Sequence, residues 1–160
     1  MITSTKIESP LGTLLASEEG GALTGLWFIG QRHFPKGVDD WREVADAPVF
    51  GQLRRELGEY FAGTLREFDL PMNPGGRHAT VFQRDVWKAI AAVPFGKTTT
   101  YSSLAQSCGK PSAARAAGAA TGRNPISILI PCHRIVGSSG ALTGYAGGLD
   151  RKRALLQLES

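Results

Sequence analysis

Four residues, Asn73-Pro74-Gly75-Gly76, set the tightest limit on how this chain can fold. Proline fixes φ and removes an amide donor, and paired glycines favour backbone conformations closed to other residues. No helix or central strand is therefore expected to run through this point. The charge balance changes at the same place. Residues 1–76 carry 7 Lys+Arg against 11 Asp+Glu, whereas residues 77–160 carry 11 against 3. The sequence thus predicts an acidic N-terminal domain over 1–76 and a basic C-terminal domain over 77–160. A split of this size suits a C-terminal half that meets a polyanion, or one kept basic only for solubility; charge alone does not choose between them.

The first half reads as a small α+β unit. Apolar stretches at Lys6–Ser9, Thr13–Ala16 and Leu23–Phe28 are separated by turn signals at Ser9-Pro10-Leu11-Gly12 and Glu19-Gly20-Gly21, which predicts a meander of antiparallel strands. Residues 30–48 read as a surface loop. Phe50, Leu53, Leu57, Tyr60 and Phe61 then recur at helical spacing, with Gly63 as a stop. No set of nucleophile, base and acid occurs here, so this half is expected to be scaffold.

Past the linker, Thr80 with Gln83 three residues on fits a capping box for a helix whose inner face carries Phe82, Val86, Ile90 and Val93. A second helix is expected over Tyr101–Ser107. A third is expected from Pro111, in its first turn, to Thr121, the pair forming a helix-turn-helix. Ile126–Ile130 is an apolar run suited to a buried strand that leads into Pro131-Cys132-His133-Arg134. A glycine-rich loop over 137–148 follows, and Asp150 is expected to cap a last helix ending at Glu159.

A thiol is strongly nucleophilic only as thiolate, and a neighbouring His can lower its pKa or take its proton, which makes Cys132-His133 the candidate reactive pair. On an extended segment the two side chains point apart, so a bridging water or a bend after Pro131 would be needed. Cys108, without a basic neighbour, reads as a small buried apolar residue. The third helix has six alanines, one glycine and a single charge, Arg115. Such a helix can pack tightly on a neighbour, or press into a narrow DNA groove with Arg115 as its probe. Two Cys and three scattered His have no metal-ligand spacing. No apolar run approaches the ~18 residues of a membrane span, and no secretory signal is evident, so a cytoplasmic location without disulfides is expected.

The run Asn124-Pro125-Ile126-Ser127-Ile128-Leu129-Ile130-Pro131-Cys132-His133-Arg134-Ile135-Val136 closely resembles the active-site signature of the O6-alkylguanine-DNA alkyltransferases. The resemblance extends to Phe82-Gln83, Val86-Trp87, Pro94, Gly96, Thr98, Tyr101, Ala114-Arg115-Ala116, Gly144-Tyr145, Gly147-Gly148 and Lys152–Glu159, nearly the whole C-terminal half. Looser likeness at Ser9-Pro10-Leu11-Gly12 and Tyr60-Phe61 suits the family's ribonuclease-H-like N-terminal domain. The implied fold is α+β, with that domain followed by a mostly helical, winged-helix-like one.

The resemblance implies that Cys132 accepts the alkyl group, that His133 acts as base through a water, and that Glu159 orients it. Asn124 would brace the segment and Tyr101 would donate to a flipped guanine. Residues from Gly144 to Gly148 would wall the base pocket, with Tyr145, Gly147 and the Ala146 N–H among them, and the Cys132 and Ile135 carbonyls would meet the exocyclic amine. Arg115 would fill the gap left in the duplex, with Ser112, Ala116, Ala117 and Arg123 beside it at the minor groove. The implied chemistry is single-use repair of O6-alkylguanine, possible for O4-alkylthymine too, by a monomer without cofactor or metal, and a standing thiolate is expected. Ala146 stands where some relatives have Ser, which bears on substrate breadth. The metal-binding cysteines of some relatives' N-terminal domains are missing. Two rival functions remain at this stage: a non-catalytic binder of alkylated DNA, whose relatives lack the acceptor cysteine, and a thiol hydrolase.

Overall fold

The computed structural model describes residues 1–160. Three strands, β1 (Thr3–Ile7), β2 (Leu14–Glu19) and β3 (Ala22–Phe28), form the expected antiparallel meander. The first strand ends two residues before the predicted limit, because Ser9 belongs to the turn. Its hydroxyl donates to the Gly12 carbonyl (2.6 Å) and accepts from the Leu11 N–H (3.2 Å). The 30–48 segment is less irregular than its composition suggests. It contains a 3-10 turn at Val38–Asp40 and a two-residue strand, β4 (Arg42–Glu43), which pairs parallel to β1 and gives the sheet order β3-β2-β1-β4.

Helix α1 (Pro48–Phe61) starts with proline, where a missing N–H costs nothing, and buries Val49, Phe50, Leu53, Leu57 and Tyr60. After the linker, α2 (Val81–Ala91) begins on the predicted capping box, in which Thr80 accepts from the Gln83 N–H and Gln83 from the Thr80 N–H. A two-residue strand β5 (Thr99–Thr100) leads into α3 (Tyr101–Ser107). Helix α4 is Ala114–Gly122; Pro111 lies in the turn before it rather than in its first turn. The Trp87 indole donates to the Ala120 carbonyl at 2.9 Å and ties α2 to α4.

Ile126–Ile130 is buried as expected, but it is not a strand. Only Ile126 bridges to β3, beside Leu26, and the chain then turns, with the Ile130 N–H bonding back to the Ile126 carbonyl at 3.0 Å. Ile128 sits at φ 74°, a conformation that disfavours a β-branched residue. An unbroken apolar run reports burial and says nothing of the backbone path. The chain continues through a 3-10 turn, Cys132–Arg134, into β6 (Ile135–Val136), which pairs parallel with β5, and ends in α5 (Leu149–Leu158). The residue preceding α5 in the cap position is Gly148. Asp150 instead lies exposed in the first turn, where it meets Arg153 at 3.2 Å and the positive end of the helix.

The apolar core is continuous across the linker, running from Leu14, Leu26 and Phe28 through Leu53 and Tyr60 to Ile90, Ile126 and Leu155. The N-terminal half therefore does more than hang beside the C-terminal half. Its β3 edge bonds the segment that leads to Cys132, through the Leu26 N–H to the Pro125 carbonyl (2.7 Å) and the Ser127 N–H to the Leu26 carbonyl (2.9 Å).

Candidate active site

Cys132 opens the 3-10 turn after Pro131 and is 5% exposed. Its sulfur accepts from Asn124 Nδ2 at 3.1 Å. The same amide donates to the Ile130 carbonyl (2.8 Å), and Asn124 Oδ1 accepts from the Ile126 N–H (3.0 Å). One side chain thus closes the buried loop that lacks strand hydrogen bonds. Burial pushes the thiol up to about 11, while the Asn124 hydrogen bond and the Lys152 charge only partly offset it. The expected standing thiolate is therefore corrected: the buried thiol keeps its proton at neutral pH.

A bend, not a strand, settles where His133 goes. It is fully buried, and Nε2 lies 2.7 Å from Glu159 Oε2. That carboxylate also accepts from Tyr60 Oη (2.6 Å), from Arg134 Nε (2.8 Å, on Oε1) and from Arg134 Nη2 (3.0 Å). Burial alone would raise the Glu159 pKa, but the hydrogen bonds from His133, Arg134 and Tyr60 win and hold it well below the usual carboxylate range. Burial lowers His133 against the pull of Glu159, so the imidazole is neutral. An ionised carboxylate only accepts, so Nε2 carries the ring proton and Nδ1 is left as the basic atom. Nδ1 is buried and has no hydrogen-bond partner within the protein.

The sulfur lines a cleft of about 390 Å³ with Tyr101, Gly118, Thr121, Gly144, Tyr145 and Ala146. Tyr101 Oη donates to the Thr143 carbonyl (3.3 Å), and burial raises its pKa, so the hydroxyl remains a donor. The Ala146 carbonyl accepts from the Arg32 N–H (3.0 Å), whereas the Ala146 N–H bonds to nothing within the protein. Gly147 has no room for a side chain: a Cβ there would lie 2.7 Å from the Tyr145 ring and 3.1 Å from Phe28. A larger cavity of about 570 Å³, beside Trp27, Trp41 and the linker, has no cysteine in its lining, and its Glu19 pairs with the N-terminus and Arg77 instead of with His78.

Most residues singled out from the sequence converge on this place: Cys132, Tyr101, Tyr145 and Ala146 in the cleft wall, Asn124 bonded to the sulfur, and His133, next to Cys132 in the chain, bonded to Glu159. The Ile135 carbonyl, expected at the exocyclic amine, already accepts from Lys152 Nζ at 2.6 Å. Helix α4 packs its small residues on one side and leaves the other side open. Ala117, Ala120 and Thr121 pack inward, while Arg115, Ala116 and Ala119 are exposed, as are Ser112 and Arg123. Ala117 is corrected on that ground: its side chain is fully buried and serves helix packing instead of meeting DNA. No three His, Cys, Asp or Glu side chains come together as a metal site would require.

Three functional groups escaped sequence reasoning. Tyr60 reaches Glu159 from 99 positions away, so no local pattern could announce it. Arg134 grips the same carboxylate and also donates to the Val93 carbonyl at 2.6 Å. Lys152, fully buried, donates to the carbonyls of Ile135, Thr143 (2.7 Å) and Gly144 (3.2 Å), and so fastens the cleft loop to β6. Lys152 had a readable signal: with Leu155 and Glu159 it lies at helical spacing on one face of α5, the buried one.

A buried thiol opening on a cleft, backed by a carboxylate–histidine pair and flanked by a helix-turn-helix, defines a cysteine-dependent protein built to meet a large ligand. The 6-O-methylguanine DNA methyltransferase ribonuclease-like domain matches residues 2–74, and the DNA binding domain of the same family matches residues 81–160. The methylated-DNA–protein-cysteine methyltransferase of Mycobacterium tuberculosis is 45% identical over 159 residues, covering 99% of this chain and 93% of that one. Its namesake from Methanosarcina barkeri is 47% identical over 153 residues, covering 96% and 94%. The crystal structure of the M. tuberculosis O6-methylguanine methyltransferase superposes with a TM-score of 0.89 at 43% identity, covering 99% of this chain and 93% of that one. The M. tuberculosis protein has also been solved in complex with DNA, with the same score and identity over 98% and 92%. The chain belongs to the 6-O-methylguanine DNA methyltransferase family.

Proposed function

We propose that this protein repairs DNA directly, moving the alkyl group of O6-alkylguanine onto its own Cys132 in a single event. The observation that carries this reading is the thiol itself: Sγ lines the cleft, with neutral His133 held by ionised Glu159 next to it in the chain and a free Ala146 N–H on the wall. The target carbon is hidden in a stacked duplex, so the nucleotide rotates out and the base enters the cleft. His133 Nδ1 takes the thiol proton through a water. Sγ attacks the alkyl carbon as the carbon–oxygen bond breaks, and the electron pair leaves with the purine oxygen. Tyr101 Oη and the Ala146 N–H donate to the departing guanine, which spreads its negative charge. The products are guanine in DNA and a thioether on Cys132. Hydrolysis has no good leaving group to expel from that thioether, so the protein is spent.

On this reading the basic 77–160 half with α4 is the DNA side, the 1–76 half is scaffold, and binding is in the minor groove by a monomer that needs no cofactor. Action on chromosomal DNA fits the cytoplasmic expectation, and no helix is long and apolar enough to cross a membrane.

Intact-mass measurement after incubation with O6-benzylguanine tests the proposal. One benzyl group should be gained per molecule, and none by a Cys132→Ser variant. No adduct on the unmodified chain would favour a non-catalytic binder of alkylated DNA, and repeated turnover would favour a thiol hydrolase.

Arg115 is exposed on α4, and it has no salt-bridge partner. It is therefore free to occupy the space a flipped nucleotide leaves. Arg115→Ala should slow transfer from duplex DNA at least tenfold more than transfer from free O6-benzylguanine, as read by single-turnover rates; ten times is about 1.4 kcal/mol of lost stabilisation. Equal slowing on both substrates rules out a role specific to the duplex.

A further inference from the structure

The cleft that holds Cys132 is not walled by the C-terminal half alone. The loop after β3 brings Arg32 and His33 to its rim, opposite Arg123 at the end of α4. This loop is built, not merely adjacent. The Arg32 N–H bonds the Ala146 carbonyl at 3.0 Å, in the wall of the cleft. Gln31, 8% exposed, turns its side chain back to accept from the Phe28 N–H (2.9 Å) and donate to the Arg32 carbonyl (3.3 Å). His33 takes a left-handed conformation, φ 61°, uncommon for a residue with a side chain.

The charges on this rim are unbalanced. Arg32, His33 and Arg123 are all exposed, and none forms a salt bridge with a carboxylate. Slight burial lowers the His33 pKa, and the positive charges of Arg123 and Arg32 lower it further, so in the free protein the two arginines carry the charge and His33 is a neutral hydrogen-bonding group beside them. Like charges gathered without counter-charge repel in the free protein and are relieved when an anion arrives. A nucleotide turned into the cleft remains tied to its strand by a phosphodiester on either side, and those phosphates have to pass the rim.

We propose that Arg32 and His33, with Arg123, form a phosphate-binding lip contributed in part by the N-terminal domain, which holds a phosphodiester of the strand whose base enters the cleft. This rests on the repair function proposed above. It extends the DNA surface beyond the helix-turn-helix, gives the acidic half a local basic point of contact, and explains why a loop with no part in the thiol chemistry is fastened to the cleft wall.

The test is a cycle between protein and DNA, read as second-order rates of alkyl transfer from a duplex carrying one O6-methylguanine. The phosphodiesters flanking the lesion are replaced one at a time by neutral methylphosphonates. At one position neutralisation should slow the unmodified protein about tenfold, roughly the 1.4 kcal/mol that a factor of ten represents. The R32A/H33A double variant should be slow on the all-phosphate duplex by a similar factor, and should lose little more at that one position. Its rate should also fall less steeply with salt, by about one unit of log–log slope per lost phosphate contact. R32E should be slower than R32A, and R32K close to the unmodified protein.

Losses that multiply independently at every phosphate, or a salt slope identical in variant and unmodified protein, overturn the lip. The repair reading fails differently, by absence of any adduct on Cys132 of the unmodified protein. The two failures are therefore distinguishable.

Discussion

Iodoacetamide should label Cys132 of the native protein slowly at neutral pH, and the rate should climb about tenfold for each unit between pH 7 and 10, because only the thiolate attacks. The thiol is 5% exposed, and burial lifts its pKa to about 11. At pH 7.5 that leaves on the order of one sulfur in several thousand ionised. Asn124 supplies one hydrogen bond, and Lys152, whose charge favours the thiolate, is shared among three carbonyls. Transfer from O6-benzylguanine should behave otherwise. His133 is neutral and its Nδ1 is free to take the proton, so the rate should flatten once pH exceeds the lowered imidazole value. The expected signature is therefore a pair of profiles, steep for the generic reagent and flat for the guanine. Peptide mass mapping would separate Cys132 from Cys108, and urea-unfolded protein would give the reference for an ordinary thiol. Iodoacetamide labelling that is flat from pH 7 to 9 would mean a preformed thiolate, and would remove the need for His133 as base.

This division between a resting thiol and a proton acceptor could not be read from adjacent Cys and His letters. What the sequence exposed well was local. The Thr80–Gln83 box and the bounds of α3 each depend on residues within a turn or two of one another. The backbone through Ile126–Ile130 was misjudged because its hydrogen bonds go to Asn124 and to the edge of β3, neither of which an apolar run encodes. Cys132, His133 and Glu159 were singled out through family resemblance, and the structure joins the last two by a hydrogen bond. The groups that set their protonation, Tyr60, Arg134 and Lys152, emerge only when distant elements close around one carboxylate or one loop. Arg32 and His33 are harder still, since exposed loop residues show no pattern that says which loop folds back over the cleft.

Glu159→Gln should be the most damaging single change behind the cleft, and its two effects can be measured separately. The carboxylate is 4% exposed and accepts from His133, from both arms of the Arg134 fork and from Tyr60. An amide of the same shape turns one acceptor into a donor. Its N–H₂ then faces Arg134 donors that cannot accept, or displaces the donors on the other oxygen, and Arg134 is left buried without its counter-charge. Breaking a buried pair from one side costs about 3–5 kcal/mol, which denaturant titration at pH 7 would report. The stability gap should depend on pH in a definite direction. Glu159 has its pKa lowered on folding from the ordinary 4.5, so its contribution is complete above that value and is lost as pH falls below it. The gap between unmodified and variant proteins should accordingly begin to narrow as pH falls below about 4.5 and close only below the much lower native value of Glu159. The rate effect has another origin. Without the carboxylate, the imidazolium formed when His133 takes the thiol proton has no partner, and the ring is no longer held with its proton on Nε2. Loss of a positioned general base costs roughly 10²–10⁴-fold, so single-turnover transfer from O6-benzylguanine should fall by at least a hundredfold in protein shown to be folded. A folded variant that reacts at the original rate would show that the thiol gives up its proton by another route, and that Glu159 serves the fold alone.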